Sequence, residues 1–189
     1  MRLFLAINLP PAVRASIHRA TQSMREAAPH ATWVSPDHLH LTLKFLGEQP
    51  DDVATTLSDA LTPVAAACPR LTLRLRGLGA FPNSRAPRVV WLGVEPQPPL
   101  ELLHHGLEST CARLGYEVDG RAFRPHVTLA RVRERLTPAG ARSLAVAARE
   151  VKLSAAAAVR SLDVMASHLT SKGPEYTVVS ALALGGGDR

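Results

Sequence analysis

With 189 residues, 46% hydrophobic and 20% charged, the chain has the make-up of one folded domain, or of two small lobes sharing a core, and not that of a disordered segment. Its two cysteines, Cys68 and Cys111, have no CxxC spacing, which argues against a disulfide framework or a cysteine metal site and for buried thiols in a reducing cytoplasm. The net charge of +6 favours an anionic partner, such as RNA or a phosphorylated metabolite, without selecting between them.

Residues 2–8 have the apolar, β-prone character of a strand, and Asn8 with Pro10 and Pro11 interrupts the run too early for an export signal or a membrane span. A cytoplasmic protein with no membrane partner is expected. Pro10 or Pro11 suits the first turn of a helix reaching about Ala28. Thr32-Trp33-Val34 reads as extended, Ser35-Pro36-Asp37 as a turn, and residues 38–46 as an alternating strand that Gly47 ends. A helix is predicted over 51–67, with Asp51 or Asp52 as cap and Pro63 as a kink or early stop.

Leu71, Leu73 and Leu75 alternate with Arg74 and Arg76, the pattern of a strand with one wet face. Residues 78–87 carry glycine, two prolines and Asn83-Ser84 and read as a loop; 89–94 read as a strand. Pro98-Pro99 opens a helix to about Leu114, with Gly115 at a natural stop. Residues 119–125 connect to a strand over 126–132. Thr137-Pro138 caps a helix ending near Glu150, and Val151-Lys152-Leu153, 161–169 and 176–184 supply the last strands. Ser171-Lys172-Gly173-Pro174 is the turn between the final two, and the glycine-rich tail 185–189 is expected to fray. Strands outnumber helices in mixed order, so an α+β fold is predicted rather than a doubly wound one.

His40-Leu41-Thr42-Leu43 returns 86 residues later as His126-Val127-Thr128-Leu129. Two copies only, so far apart, suggest two similar lobes facing each other and not a solenoid. On a strand, residues two apart share a face, so each copy offers an imidazole beside a hydroxyl while its leucines or valine turn inward. One such pair says little, because a half-buried histidine is most often a packing residue. Two pairs suit phosphoester chemistry. Imidazole titrates near neutrality and supplies either a base for the attacking oxygen or an acid for the leaving one, and threonine hydroxyls donate to the nonbridging oxygens. Neither histidine has an acidic or cysteine neighbour at zinc spacing, and there is no HExxH and no glycine-rich phosphate loop, so no required metal is expected.

The two motifs, with Arg2-Leu3-Phe4-Leu5-Ala6-Ile7, Trp33 to Gly47 around the first, Phe123-Arg124-Pro125 and Ala130-Arg131 around the second, and Gly173-Pro174-Glu175-Tyr176 near the end, resemble the 2H phosphoesterase superfamily. Within it the chain is similar to the bacterial and archaeal RNA 2′,3′-cyclic phosphodiesterases, also described as 2′-5′ RNA ligases. The resemblance runs the length of the chain, residues 1–189. It implies a single catalytic domain of two interleaved α+β lobes related by a rough two-fold, each with an antiparallel sheet, around a central cleft. It implies metal-free opening of RNA or nucleotide 2′,3′-cyclic phosphates to 2′-phosphates, with weak reversible 2′-5′ ligation and no cofactor; a monomer is expected. By position His40 is the acid, His126 the base, and Thr42 and Thr128 hold the phosphate.

Arg131 matches a phosphate-neutralising arginine, but regular alternation places it opposite His126, so it needs a strand end, a bulge or a long reach; Arg133 or Arg124 are substitutes. Lys44 shares the face of His40 and Thr42 in a regular strand and either draws anions in or lies just outside. Phe45 and Phe123 read as core and cleft wall rather than base platforms, and Tyr176 either packs on a nucleoside or closes the sheet. With 4% aromatic residues, a long stacking surface for single-stranded RNA is not expected. Two other functions fit the same residues: a cyclic phosphodiesterase for a small nucleotide or an ADP-ribose cyclic phosphate, and a non-catalytic module that binds RNA ends or phosphometabolites.

Overall fold

The structure, a computed structural model, describes residues 1–170 and 173–185. Eight strands follow one another as antiparallel neighbours: β7 (Ser154–Val159), β4 (Leu71–Phe81), β5 (Val89–Val94), β6 (His126–Arg131), β3 (His40–Glu48), β1 (Arg2–Asn8), β8 (Ser161–Thr170) and β9 (Gly173–Ala183). The ninth, β2 (Thr32–Trp33), also pairs with β6. The two expected sheets are therefore halves of one curled sheet, and the join is a single pair, Leu41 with Val127. β3 then leaves β6, and β2 takes its place at Ala130 and Arg131. Both seam residues are wholly buried, so Leu41→Ala would open a cavity where the halves meet, at a cost of about 2–5 kcal/mol.

The helices cross over between the halves. α1 (Pro11–Ala20) and α2 (Gln22–Ala27) follow β1, yet they pack toward β7 and α5 (Pro138–Glu150), which lies on β4. α3 (Val53–Ala67) and α4 (Pro98–Arg113) pack on each other and on β8, β9 and β3. Leu3, Leu5, Ile7, Leu57, Leu61, Leu73, Leu92 and Leu100 form a dry core on the helix side, each burial contributing roughly 1.5–3 kcal/mol. No helix among the described residues is long and apolar enough to cross a membrane.

Five sequence expectations change. The helix predicted to Ala28 breaks at Thr21, whose hydroxyl donates to the Ile17 carbonyl at 2.8 Å and accepts from Arg25 at 3.0 Å, competing with the helical ladder. The first motif strand starts at His40, because Pro36, Asp37 and His38 close one 3₁₀ turn. The 78–87 loop is strand as far as Phe81: Gly77, at φ +76°, absorbs a register shift between Leu75 and Leu78, and pairing with β5 resumes. Val151-Lys152-Leu153 is not a strand; the alanines after it, poor strand formers alone, are small enough to lie along β4 from Leu71 to Arg76. Gly185 does not fray: its N–H donates to the Cys68 carbonyl at 2.8 Å and its own carbonyl accepts from Arg70 at 3.1 Å. Ser171 and Lys172 of the expected turn, and tail residues 186–189, lie outside the described residues.

Candidate active site

His40 and His126 each open a strand at the seam, and each ring is held in the same way. Nδ1 of His40 bonds the His38 carbonyl at 2.7 Å, and Nδ1 of His126 bonds the Arg124 carbonyl at 2.7 Å. A carbonyl only accepts, so in both rings Nδ1 carries the hydrogen and Nε2 is left for chemistry, a base when bare and an acid when protonated. An antiparallel pair has a local two-fold, and the one through Leu41 and Val127 exchanges His40 with His126 and Thr42 with Thr128. All four residues are half-buried on one face while Leu41, Leu43, Val127 and Leu129 are buried on the other. In a regular ladder, facing side chains on such a pair are about 5 Å apart and diagonal ones about 7–8 Å.

The two-fold extends to an irregularity. Between Thr42 and Lys44 the pairing with β1 skips Leu43, and between Thr128 and Ala130 the pairing with β5 skips Leu129. One extra residue flips every side chain beyond it. Arg131 thus returns to the histidine face, which regular alternation denied it, and is exposed there. Lys44 turns the other way. The expectation that it shares the face of His40 is corrected: Lys44 is buried on the helix side, its ammonium donating to Glu108 Oε1 and Oε2 at 2.9 and 2.8 Å and to the Glu117 carbonyl at 2.7 Å. Phe45, expected in the core or cleft wall, is corrected too: as the two-fold counterpart of Arg131 it is flipped outward by the matching bulge to 66% exposure, its ring 6.0 Å from Phe4.

Aromatic side chains flank each imidazole. Phe4 lies 5.1 Å from the His40 ring and Tyr176 stands edge-on to it at 5.4 Å, with Tyr176 also 5.0 Å from His38. Across the seam, Phe81 is edge-on to His126 at 5.2 Å and Trp91 is 6.4 Å away. Trp91 lies flat over Gly79, where any Cβ would overlap the indole. Burial lowers the His40 pKa from its ordinary 6.5; the hydrogen bond to the His38 backbone opposes this, and the His38 ring and the Arg131 guanidinium push it further down. The field of Arg131 therefore spans the seam from β6 to His40.

Tyr176, Arg131 and both His-x-Thr pairs are brought together; Lys44 and Phe123 are not. Phe123 stacks on His104 at 3.8 Å, nearly parallel, and packs into the helix-side core, which removes it from the cleft wall. Arg124 contributes its carbonyl to His126, and the Arg133 carbonyl accepts from Arg88. The sequence reading missed Phe4, Phe81 and Trp91. Phe4 alternates with the core leucines of β1 and was detectable; Phe81 was hidden in a segment that glycine and proline mark as loop. A cavity of about 320 Å³ opens beside His40, with Asn8, Arg14, His38 and Asp163 in its wall. Among the described residues no three His, Cys, Asp or Glu side chains converge as metal ligands would.

A curled antiparallel sheet that carries two dyad-related His-x-Thr pairs at its seam defines a two-histidine phosphoesterase. Residues 9–170 match the profile of the 2′-5′ RNA ligase superfamily. The chain belongs to that family. It is 36% identical to an RNA 2′,3′-cyclic phosphodiesterase of Thermus thermophilus, over 98% of this chain and 91% of that one. It is 30% identical to one of Methanothermobacter thermautotrophicus, over 97% and 99%. A relative in Geobacillus stearothermophilus is longer: the chain, 32% identical to it, spans 56% of its length. Among solved structures, a Thermus thermophilus protein superposes with a TM-score of 0.82 at 31% identity, covering 99% of this chain and all of the other. Escherichia coli LigT complexed with 3′-AMP gives 0.70 at 32% identity, covering 97% of each.

Proposed function

We propose that the protein hydrolyses RNA 2′,3′-cyclic phosphate ends to 2′-phosphates by paired histidine acid–base catalysis. The observation that carries this is the matched Nδ1-to-carbonyl bond in His40 and His126, which commits two free Nε2 atoms to one face on either side of a dyad. With a phosphate between them, one Nε2 takes a proton from water as its oxygen bonds to phosphorus. The other gives a proton to O3′ as the P–O3′ bond breaks. Thr42 and Thr128 donate to the nonbridging oxygens, and Arg131 offsets the charge growing there. A ribose hydroxyl in place of water would run the same exchange as a weak, reversible ligation.

The family resemblance makes His40 the acid and His126 the base. Burial favours the neutral form of His40 in the free protein, so this division requires the bound phosphodiester, itself an anion, to favour the His40 imidazolium. The likeness to relatives named RNA 2′,3′-cyclic phosphodiesterase supports the reaction class.

The test is an oligoribonucleotide with a 2′,3′-cyclic phosphate end, incubated in excess EDTA, its product read by phosphorus NMR. A 2′-phosphate is expected, with His40→Ala and His126→Ala each losing about 10²–10⁴ in rate while remaining folded. Near wild-type turnover in either variant would sink the paired mechanism, and a 3′-phosphate product would overturn the regiochemistry. Turnover confined to mononucleotide or ADP-ribose cyclic phosphates would move the substrate away from RNA. Tight binding without turnover would leave only a phosphate-binding module.

A further inference from the structure

The two halves of the site are alike where phosphate would sit and unlike beyond it. Next to Thr42 on β1 is Ala6, whose neighbour on β8 is Asp163; next to Thr128 on β5 is Trp91, whose neighbour on β4 is Gly79. No indole fills the His40 side: there Phe4, Met165 and Tyr176 cover Ala6, and the 320 Å³ cavity opens next to them, against Asn8, His40 and Asp163. A phosphate held at the seam can extend a nucleoside into that opening, whereas the floor on the other side is closed by Trp91.

The polar groups of the cavity are fixed in orientation. Asn8, opposite His40 in the register, donates from Nδ2 to Asp163 Oδ2 at 2.7 Å and to the Met165 sulfur at 3.3 Å. A carboxylate only accepts, so Asp163 forces the amide nitrogen toward itself and leaves Asn8 Oδ1, an acceptor, for a ligand. Ser161 Oγ donates to Asp163 Oδ1 at 2.8 Å and holds the carboxylate, which is 4% exposed. Arg14, also in the wall, is anchored through Nη1 to the Asp37 carbonyl, while its buried Nε has no partner among the described residues. The cavity thus presents a locked acceptor, with the Arg14 guanidinium in its wall, between the apolar side chains of Met165, Val178 and Ala181.

We infer that this cavity seats the terminal nucleobase and selects bases with an exocyclic amine beside a bare ring nitrogen, adenine and cytosine, over those with a carbonyl beside a ring N–H, hypoxanthine and uracil. The amine donates to Asn8 Oδ1; a carbonyl at the same place meets Asn8 Oδ1 acceptor to acceptor. This inference rests on the reading that the site takes nucleoside phosphates, but not on turnover.

Calorimetric titration of the intact chain with adenosine 2′-monophosphate and inosine 2′-monophosphate, which differ at the base edge alone, tests it. Adenosine is expected to bind about tenfold tighter, the worth of one well-made hydrogen bond against an acceptor clash. Equal affinities within about twofold, tighter inosine, or no binding of either would overturn the inference. Asp163→Asn unlocks the Asn8 amide, and Asn8→Leu removes its acceptor; in each the preference should fall below about twofold, and its persistence in both would also overturn it. Turnover of the matching 2′,3′-cyclic phosphates is scored separately. If neither is hydrolysed, the proposed reaction fails, while the binding preference is still read from the monophosphates.

Discussion

Replacing Lys44 with methionine should cost about 3–5 kcal/mol of stability, because it strands a buried carboxylate. Lys44 and Glu108 are 7% and 8% exposed, and the ammonium makes three short bonds, two to the carboxylate and one to the Glu117 carbonyl. Without it, Glu108 keeps, among the described residues, the Asp119 N–H at 3.3 Å and His104 at 3.9 Å. Against a total of roughly 5–15 kcal/mol for a domain, that loss is a large share. Urea unfolding followed by circular dichroism measures it, and a double-mutant cycle with Glu108→Leu separates the pair from the stranded charge. The double variant replaces both ions with apolar groups and should be no less stable than Lys44→Met alone. Acidification should partly restore the single variant, since a protonated His104 can stand in for the lost cation. The same pair ties the 117–119 backbone to β3, seven residues ahead of His126, so turnover should fall as well. A loss below about 1 kcal/mol for Lys44→Met, or a double variant as unstable as the two single losses added, would refute the reasoning.

Stability should also fall as pH drops below 6.5. The unfolded His40 takes up a proton there, the folded ring, its pKa lowered chiefly by burial, does not, and so the unfolded state binds more protons across that window. Above 6.5 the contribution is fully present, and denaturant midpoints of His40→Gln should slope less steeply between pH 7 and pH 5. Gly79→Ala pushes a methyl group against the face of the Trp91 indole and should cut turnover by about tenfold or more by displacing the ring beside His126; wild-type kinetics with an unchanged tryptophan fluorescence spectrum would contradict that packing. Cys111, wholly buried and pushed up to about 11, and Cys68, raised by burial, should both ignore a thiol reagent at pH 8 until the chain is unfolded. Rapid native labelling of either would show that the helix-side core opens.

The chemistry was legible in the sequence where it obeys strand periodicity and illegible where the strand breaks it. His40 with Thr42 and His126 with Thr128 keep the period of two, so their shared faces follow from spacing alone. One residue further on, the skipped Leu43 and Leu129 shift the phase, and alternation then misplaces Lys44, Phe45 and Arg131 together. Nothing local marks these bulges: neither Thr42-Leu43-Lys44 nor Thr128-Leu129-Ala130 contains a glycine or a proline. For Lys44 the structure shows what the flip gains, three bonds to a carboxylate and carbonyl carried by α4 and the loop after it, contacts that no single strand encodes. Phe81 was lost for the opposite reason. Gly79, followed by Pro82 and Pro87, reads as loop punctuation, yet it clears room for an indole, and Gly77 just before it absorbs a register shift, both inside a continuing strand.

These departures bear on direction as well as position. A tetrahedral phosphate cannot distinguish two imidazoles related by a dyad, but a nucleotide has a base on one side only, so the asymmetry must come from residues outside the repeated tetrapeptides. The matched bulges bring the pairs that break the symmetry onto the working face or its edge. Arg131 answers Phe45 at the rim, a fixed cation against an apolar ring, and Trp91 answers Ala6 beside the threonines. A Val178→Trp variant, at an exposed position of the cavity wall, would put an indole on the His40 side as Trp91 does on the other. If the orientation of the substrate is set by that opening, such a variant should keep its affinity for inorganic phosphate within about threefold and lose nucleoside monophosphate binding by about a hundredfold, roughly 2.8 kcal/mol. Equal losses for both ligands would mean that the new indole had displaced the histidines themselves, and that the open side carries no directional information.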